Sequence, residues 1–428
     1  SRHGKLLRLE SIIPMDKVRL ALIGCGGMGT RHLHGLKQLL GSPFDQIELA
    51  AVCDINADNA EMAAAEAEKL LGVRPQAFTD MEQMARQVPG IEAVDVVTDP
   101  SVHHRVVCQA LDLGLHVLVE KPLAITVRAC QQILDAAERN GRIVSVAENF
   151  RRDPSARIVR HLLDSGAIGT PYMGLYHSLG AGNAIFITPW RHRRELGGFI
   201  LDMAVHFTHM IRYQLGDFSE VYADARMVEQ ERQKSPSMSM DYDFYKKRLA
   251  AMPESVPAEA EDMTQAMFKM ESGATLNWIV GIGGHGSTHR ELILGDKGSI
   301  EGFGVRGGNV VLKRHGEEDL NQQQILASAE SEGLELDPLT RHLFPSGVSA
   351  GDELVDVKLI AYELHELAEA LRGEREVEVD GTCGLKDVAA LYSVFESWRA
   401  GRPVKLSEVE TRHVYAYQQQ IDDALGVA

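Results

Sequence analysis

Short apolar runs alternate with amphipathic stretches of helical length over the first third of the chain. The runs predict strands at 18–24, 47–53, 76–78, 92–97, 116–119 and 143–147, and the stretches between them predict helices at 30–40, 57–72, 102–113 and 126–139. Strands separated by helix-length segments indicate βαβ units and a parallel sheet covered by helices on both faces. The sequence therefore predicts an α/β domain with a doubly wound parallel sheet over residues 15–150.

After residue 149 the pattern changes to longer extended runs joined by turn signals. Extended runs lie at 172–179, 219–228, 264–270, 275–282, 290–294, 299–303 and 309–314, and helices are predicted at 153–166, 199–214, 354–372 and 384–400. Runs joined by tight turns are typical of antiparallel neighbours. We therefore expect a C-terminal α+β domain over 151–428 with an open, largely antiparallel sheet, whose C-terminal helix packs back on the first domain.

Three segments fall outside this pattern. Residues 1–14 are basic and mixed and lack an apolar signal core, so they are interpreted as an extension rather than a secretion signal. Residues 229–261 are rich in Ser, Met, Pro and Glu, and residues 315–350 are polar and acidic. Both internal stretches are predicted to be inserted or mobile.

Composition narrows the function class. The 428 residues are 44% hydrophobic and 25% charged, as in a soluble protein of two domains. The formal charge of −17 argues against nucleic acid and anionic membranes as partners, since both are polyanions. The five cysteines are widely spaced and contain no Cys-x-x-Cys, so we expect neither a disulfide framework nor a zinc site, and a cytoplasmic location.

A glycine pattern between the first predicted strand and helix carries the clearest chemistry. The run Val18-Arg-Leu-Ala-Leu-Ile ends in Gly-x-Gly-x-x-Gly, and a helical pattern follows at once. In this context a dinucleotide is expected, with its pyrophosphate against bare backbone at the start of the helix. The predicted contacts come from Gly24, Gly26, Gly27, Met28 and Gly29.

Asp54 follows the second predicted strand, where a carboxylate can bind the adenosine ribose hydroxyls. The alternative is a carboxylate that only caps the next helix. Residues 55–61 contain no Arg or Lys to pair with a 2′-phosphate, so NAD is favoured over NADP.

Glu120-Lys121-Pro122 follows the fifth predicted strand, at the edge of the sheet where α/β proteins bind ligands. Lys121 can donate hydrogen bonds to a substrate hydroxyl or to a ribose, and Glu120 and Lys121 are both predicted to contact the cofactor. The alternative is a solvated lysine in a turn.

Gly197-Gly198 precede a largely apolar helix that carries Asp202 and His206 four residues apart. The spacing puts both side chains on one face, so Asp202 is expected to orient His206, and His206 to exchange the proton that accompanies hydride transfer. A structural pair remains an alternative, and a metal-ligand pair a weaker one, since no further ligand set is evident and no metal is expected.

Thr98 and His103 lie after the fourth predicted strand. Both are predicted to line the cofactor, with His103 near a ribose. A helix-capping role for Thr98 or Asp99 is the alternative.

With these motifs in this order, the chain resembles the glucose–fructose oxidoreductase/inositol dehydrogenase (Gfo/Idh/MocA) family. The resemblance rests on the glycine pattern, Asp54, His103 and Glu120-Lys121-Pro122, and continues through Trp190-Arg191, Gly197-Gly198, Asp202-x-x-x-His206 and the closing Gly401-Arg402-Pro403-Val404. It implies an N-terminal Rossmann domain, a C-terminal open-sheet domain and NAD(P)-dependent oxidation or reduction of sugars, polyols or their derivatives. It also implies that Lys121, Asp202 and His206 surround the reacting carbon.

These observations favour an NAD-dependent dehydrogenase that acts on a CH–OH group of a carbohydrate. Arg191 is expected to contact the substrate, and a cluster of arginines is a candidate anion pocket or a solvated face: Arg151, Arg152, Arg191, Arg193 and Arg194. One alternative is glycoside cleavage through a transient keto-sugar, with the cofactor regenerated. A second is an NAD-binding sensor. An open sheet must cover its outer face, so a homodimer or homotetramer is expected.

Overall fold

The first domain is built on a parallel sheet. The computed structural model describes residues 17–235, 243–349 and 351–427, so the predicted extension at 1–14 lies outside the described residues. The strands are β1 Val18–Ile23, β2 Ile47–Cys53, β3 Gln76–Phe78, β4 Ala93–Val96, β5 His116–Glu120 and β6 Val144–Ala147. The helices are α1 Gly27–Leu39, α2 Ala57–Leu71, α3 Met81–Gln87, α4 His103–Asp112 and α5 Val127–Asn140. The order β3-β2-β1-β4-β5-β6 confirms the predicted doubly wound sheet.

Local sequence explains where these helices begin and end. The Asn56 side chain accepts a hydrogen bond from the Asp58 amide at the start of α2, and Gly72 ends that helix in a left-handed conformation. In α5 the Thr126 side chain accepts a hydrogen bond from the Ala129 amide at the start, and Gly141 ends the helix in a left-handed conformation. Helix α1 begins at Gly27, three residues earlier than predicted, so its first turn lies inside the glycine pattern.

The second domain is built on a nine-stranded sheet. Its main strands are β7 Pro171–Ala181, β8 Phe218–Arg226, β11 Met263–Met270, β12 Thr275–Gly284 and β13 Thr288–Gly295, and its short edge strands are β14 Ser299–Glu301, β15 Val311–Lys313, β16 Leu320–Asn321 and β17 Val404–Lys405. The order is β16-β15-β14-β13-β7-β12-β11-β8-β17. The consecutive strands β11 and β12, and likewise β13 and β14, pair antiparallel as predicted, but β7 and β12 are distant in sequence and pair in parallel at the centre.

Within the described ranges, helices cover one face of this sheet. The helices of this half include α6 Asn149–Arg152, α7 Pro154–Asp164, α8 Gly198–Leu215, α13 Gly381–Ala400, α14 Leu406–Glu410 and α15 Gln419–Leu425. Helix α8 buries an aromatic cluster against the sheet, with the Phe207 and Tyr176 rings 4.6 Å apart and Trp278 beside them. On the opposite face Tyr222 and Met267 are cross-strand partners, exposed by 53% and 59%.

A helix from the C-terminal half also covers the first sheet. This helix, α12 Val355–Leu371, packs along α1 and shares a buried apolar cluster with β1 and β2. The contact is close at Gly35, where an added methyl group would lie 2.7 Å from Ile360 Cγ2. The division of the chain at residue 150 stays a prediction.

The two stretches predicted to be inserted or mobile contain ordered elements among their described residues. The first holds β9 Glu231–Gln233, α9 Asp243–Ala251 and β10 Ser255–Pro257, and the second holds β16, α10 Gln322–Leu326 and α11 Pro338–Leu343. Strands β9 and β10 pair antiparallel, so both ends of the first stretch are tied together. Composition alone missed these elements because each is only two to nine residues long.

Candidate active site

The glycine turn forms a bare cradle at the start of α1. Gly24 has a φ of 96°, and a methyl group there would lie 2.8 Å from the Thr98 amide nitrogen. Gly29 lies against the Gly24 carbonyl and lets α1 pack closely on β1. Among the described residues no side chain caps this helix and no acid occupies its first turn. Its N–H groups therefore remain available to a phosphate, as the pyrophosphate of a dinucleotide requires.

Asp54 is fixed beside this cradle. Its Oδ2 accepts a hydrogen bond of 2.7 Å from the Cys25 amide, and its Oδ1 one of 2.8 Å from the Asn56 amide. Asn56 caps α2, so the reading of Asp54 as that cap is wrong. Each oxygen keeps a lone pair for a ribose hydroxyl. Asp80, which the sequence reading missed, lines the same end of the cavity.

A single large cavity runs from this cradle to the helical face of the second sheet. Its volume is about 1730 Å³, and it is lined by Gly26, Asp54, Thr98, Lys121, Asp202 and His206, among others. Pockets for one small ligand occupy roughly 300–1,000 Å³. The cavity therefore has room for a dinucleotide and a second ligand, and its cradle and carboxylate fit NAD.

Lys121, Asp202 and Arg191 form a charged group at the middle of the cavity. Lys121 Nζ donates to the Asp202 backbone carbonyl at 2.7 Å and to Asp202 Oδ1 at 3.3 Å, and Arg191 Nε donates to Asp202 Oδ2 at 2.7 Å. Burial alone would raise the pKa of Asp202, but the charges of Arg191 and Lys121 hold it below its usual range. Asp202 is therefore an anion that fixes two cations.

The structure corrects the predicted partner of His206. Asp202 does not hydrogen-bond the imidazole; His206 Nδ1 lies 2.6 Å from Oε1 of Glu148, which follows β6 in the first domain. The ring also stacks on Phe150, with centroids 4.2 Å apart. The spacing of four residues correctly predicted that Asp202 and His206 share one face of α8, but it predicted the wrong contact. Arg191 and Lys121 bind the two oxygens of Asp202.

Glu148 sets the tautomer of His206. Burial alone would raise the pKa of Glu148, but the charge and hydrogen bond of His206 lower it to about 2. An ionised carboxylate can only accept, so Nδ1 carries a proton, and in the neutral imidazole Nε2 has the lone pair. His206 lines the cavity, and its free Nε2 is thus the atom able to take up a proton there. The sequence signal for Glu148 was its place after a parallel strand, as for Lys121.

Glu120 binds the backbone of Lys121 and connects it to a buried histidine. Its Oε2 accepts a hydrogen bond of 2.9 Å from the Lys121 amide, and its Oε1 lies 3.3 Å from Nε2 of the buried His32. Nδ1 of His32 lies 2.7 Å from Asp95 Oδ2. Burial would lower the pKa of His32, but the two carboxylates raise it, so this buried group is an ion network. Glu120 still lines the cavity floor.

Thr98 and His103 have different positions. Thr98 lines the cavity, and its Oγ1 is buried without a partner in the described part of the chain, as expected of a ligand-binding hydroxyl. The expectation that His103 lies beside the cofactor is not met. His103 is fully buried, with its nitrogens 2.9 Å from the Pro122 carbonyl and 3.2 Å from the Thr98 carbonyl, and it ties two loops together. Asp99 caps the short turn Pro100–Val102.

The arginine cluster does not form an anion pocket. Each member is paired with a carboxylate, in the pairs Arg151–Glu378, Arg152–Glu366, Arg191–Asp202, Arg193–Glu195 and Arg194–Glu261. Arg191 alone of these lines the cavity, where its guanidinium lies 4.4 Å from the Trp190 ring.

The far wall of the cavity is aromatic and strained, a feature the sequence reading missed. Phe150, Tyr176, Phe186, Trp190 and Phe207 line it. Four non-glycine residues in the described ranges have positive φ, and Ile187, Arg306 and Asn309 among them also line the cavity. Such conformations cost energy and concentrate at ligand sites.

One further cluster has metal-ligand chemistry. Ligand atoms of His209, Cys383 and Asp387 lie within 4.8 Å of one another. Arg212 already donates to Asp387 at 2.5 Å. Burial would lower the pKa of His209, but Asp387 raises it to about 10, so a protonated imidazole occupies the position of a ligand. A cation is disfavoured there.

Comparison with known proteins agrees with this arrangement. Residues 18–148 match the oxidoreductase family with an NAD-binding Rossmann fold, and residues 156–301 match the GFO/IDH/MocA C-terminal domain. The chain belongs to the GFO/IDH/MocA family. The first matched region contains the parallel sheet, and the second contains most of the nine-stranded sheet. The Rossmann domain of this GFO/IDH/MocA protein is therefore an NAD-binding domain.

Individual relatives differ in their reactions. The chain is 29% identical over 209 residues to D-apiose dehydrogenase of Paraburkholderia graminis, covering 49% of this chain and 52% of that protein. It is 30% identical over 159 residues to glycosyl hydrolase family 109 protein 1 of Akkermansia muciniphila, covering 36% and 32%. The match thus spans about half of the first relative and a third of the second.

A solved levoglucosan dehydrogenase in complex with NADH and levoglucosan superposes with a TM-score of 0.71 at 22% identity, over 91% of this chain and 100% of that one. This likeness shows a shared fold. Among the described residues of the present chain, no helix is long and apolar enough to cross a membrane.

Proposed function

We propose that this GFO/IDH/MocA protein is an NAD-dependent dehydrogenase that acts on a CH–OH group of a sugar, polyol or glycoside. The observation that carries the proposal is that His206 and Lys121 line one cavity together with the glycine cradle and Asp54, while Glu148 holds His206 through Nδ1 and Asp202 holds Lys121. Bound NAD supplies the hydride acceptor. The roles of the side chains around it follow from their contacts.

His206 is the proposed base. Oxidation of a carbinol requires that its hydroxyl proton be taken up, and a group near neutral pKa within hydrogen-bond reach does this efficiently. Nε2 of His206 accepts the proton, and the carboxylate of Glu148, 2.6 Å from Nδ1, stabilises the imidazolium that results. Glu148 thereby takes the role first expected of Asp202.

Lys121 is the proposed oxygen ligand. Two of its contacts go to Asp202, and an ammonium group has three donors, so one remains for the substrate oxygen. Asp202 and Arg191 fix the position of that ammonium group. Charge on the oxygen grows as its proton leaves, so a positioned cation stabilises the transition state more than the ground state.

A carbohydrate is the proposed substrate class. The aromatic wall offers faces on which the C–H surfaces of a sugar ring can pack, while Lys121, His206 and Asn309 offer polar contacts to hydroxyls. Dehydrogenases for D-apiose, levoglucosan and inositols among the relatives support the same class. NAD is proposed over NADP because Asp54 and Asp80 would both face a 2′-phosphate.

Glycoside cleavage with regeneration of the cofactor is the second candidate. Its support is the family 109 relative and a cavity large enough for a glycoside beside a dinucleotide.

The outer face of the nine-stranded sheet is proposed to be buried between subunits of a homodimer or homotetramer.

A panel of sugars, polyols, sugar acids and glycosides, each incubated with NAD, tests the function. Net formation of NADH, measured by absorbance, supports the dehydrogenase. Release of a free sugar from a glycoside without net NADH favours cleavage instead. Binding of NAD with neither product across the panel would favour the sensor.

A further inference from the structure

Helix α9 crosses from the second domain onto the cofactor cradle. The Tyr245 phenol lies directly on the first residue of α1, since a methyl group on Gly27 would be 2.6 Å from both Cζ and Oη of Tyr245. Gly27 and Tyr245 both line the cavity. The phenol hydroxyl therefore occupies the neighbourhood of the N–H groups that bind a pyrophosphate.

A cluster of cations accompanies this phenol. The Arg31 guanidinium, from the second turn of α1, lies 5.9 Å from the Tyr245 ring centroid, and the Arg248 guanidinium lies 5.5 Å from it. Arg248 also lines the cavity. Burial lowers the pKa of Arg248, and the charge of Arg191 lowers it further. Arg248 and Arg191 both line the cavity and repel each other, so an anion bound beside Arg248 would offset part of this repulsion.

The segment that carries α9 is anchored at both ends. Arg232 of β9 is fully buried and donates to Asp262 Oδ2 and to the Gly182 carbonyl, both at 2.6 Å. The Lys234 amide donates to the Glu254 carbonyl at 2.8 Å, which continues the pairing of β9 with β10. The described residues before and after α9 are thus fixed to the second domain.

We propose that α9 is a cofactor clamp: Tyr245 and Arg248 bind the pyrophosphate of NAD beside Gly27, at the start of α1, and retain the cofactor between turnovers. The dinucleotide is then held by both domains. The clamp depends on NAD binding and not on the proposed reaction, so each can fail without the other.

The dissociation rate of NADH tests the clamp. NADH is loaded on the full-length protein and chased with excess ADP-ribose, and its fluorescence is followed with time. Hydrogen bonds to charged groups contribute about 1.5–3 kcal/mol, so Arg248→Gln should raise the rate about 10-fold or more. Tyr245→Phe, which removes a neutral donor, should raise it about 2- to 10-fold.

Lys247→Gln is the matched control. It removes a cation from the same helix, but the Lys247 ammonium lies beside Met62 of α2 and does not line the cavity. Its dissociation rate should stay within about twofold of the unmodified protein. An equal effect of Lys247→Gln and Arg248→Gln would overturn the clamp, because general charge on α9 would then be the cause.

Ligand fragments locate the contact. Arg248→Gln should weaken the equilibrium binding of NAD and of ADP-ribose alike and leave adenosine binding unchanged, because adenosine lacks the pyrophosphate. A loss confined to NAD would put Arg248 at the nicotinamide or substrate end. A loss shared by adenosine would mean a disturbed domain. Either result, or unchanged dissociation in both variants, rejects the proposal.

Discussion

His206 takes its carboxylate partner from the first domain rather than from its own helix. Glu148 follows β6, only 1% of its surface is exposed, and the imidazole beside it lowers its pKa. A base and its partner on different domains are held together only in the folded protein. The Glu148–His206 contact therefore contributes both to the position of the proposed base and to the stability of the folded protein.

Glu148 should contribute to stability in a defined pH window. Its pKa falls from 4.5 to about 2 on folding, so its stabilisation is complete above the unfolded pKa and is lost as pH falls from about 4.5 towards 2. A shift of this size corresponds to about 3 kcal/mol. Glu148→Gln should lower the free energy of unfolding at neutral pH, measured by urea denaturation.

The difference between Glu148→Gln and the unmodified protein should shrink as the pH is lowered through that window. A constant difference at every pH would mean that packing, and not the charge, is lost in the variant.

Asp54 should govern cofactor choice. Asp54→Ala removes a carboxylate that would repel the 2′-phosphate of NADP, so the ratio of NADP to NAD dissociation constants should move towards one by about tenfold. Fluorescence titration with both reduced cofactors measures the ratio. Asp80 remains in the variant, so some preference should persist. Tighter binding of NADP than of NAD by the unmodified protein would contradict the assignment.

These residues also mark what the sequence could predict about the site. Asp54 and Lys121 were found because each follows a readable strand, and the sheet edge is where ligands bind. Glu148 stands in the same position after β6 but has no companion motif. His103 was misplaced because a sequence pattern does not show whether a buried ring faces a ligand or two carbonyls.

Element boundaries were predictable where periodicity was strong. The predicted 57–72 and 384–400 helices are Ala57–Leu71 and Gly381–Ala400 in the structure. Helix α9 was not predicted, since it is nine residues long and stabilised by contacts with the other domain. The parallel pairing of β7 with β12 was missed because about 90 residues separate the two strands and no local turn signals it.

The α1–α12 contact should be sensitive to one added methyl group. Gly35→Ala would improve helix propensity by about 1 kcal/mol, but its Cβ would lie 2.7 Å from Ile360 Cγ2 and 3.3 Å from the Ala361 amide nitrogen. Overpacking costs about 1–3 kcal/mol, so we expect net destabilisation in thermal or urea unfolding.

Two variants control for this effect. Gly286→Ala has no atom within 4 Å of the added carbon and should change stability little. Ile360→Ala should relieve the clash, so the double variant with Gly35→Ala should be more stable than the sum of the two single effects predicts. Strict additivity would mean that α12 does not press on Gly35.

At the scale of the whole molecule, the described residues place no helix on one face of the second sheet. Tyr222 and Met267 lie opposite each other there, each more than half exposed. We expect light scattering at micromolar concentration to give a homodimer or homotetramer, and Met267→Glu to shift it towards the monomer. Val73→Glu, at a residue 69% exposed on the first domain, is the control and should leave the mass unchanged. A strict monomer would contradict this arrangement.

The most direct test of the central claim compares cofactor reduction by the unmodified protein and by His206→Ala. With the best carbohydrate from the panel and saturating NAD, the account predicts that kcat for NADH formation falls about 10²-fold or more in His206→Ala, while the dissociation constant of NAD stays unchanged. Glu148→Gln should give a smaller loss. Near-normal turnover of His206→Ala across the pH range would contradict the account, because the proton would then leave through another group.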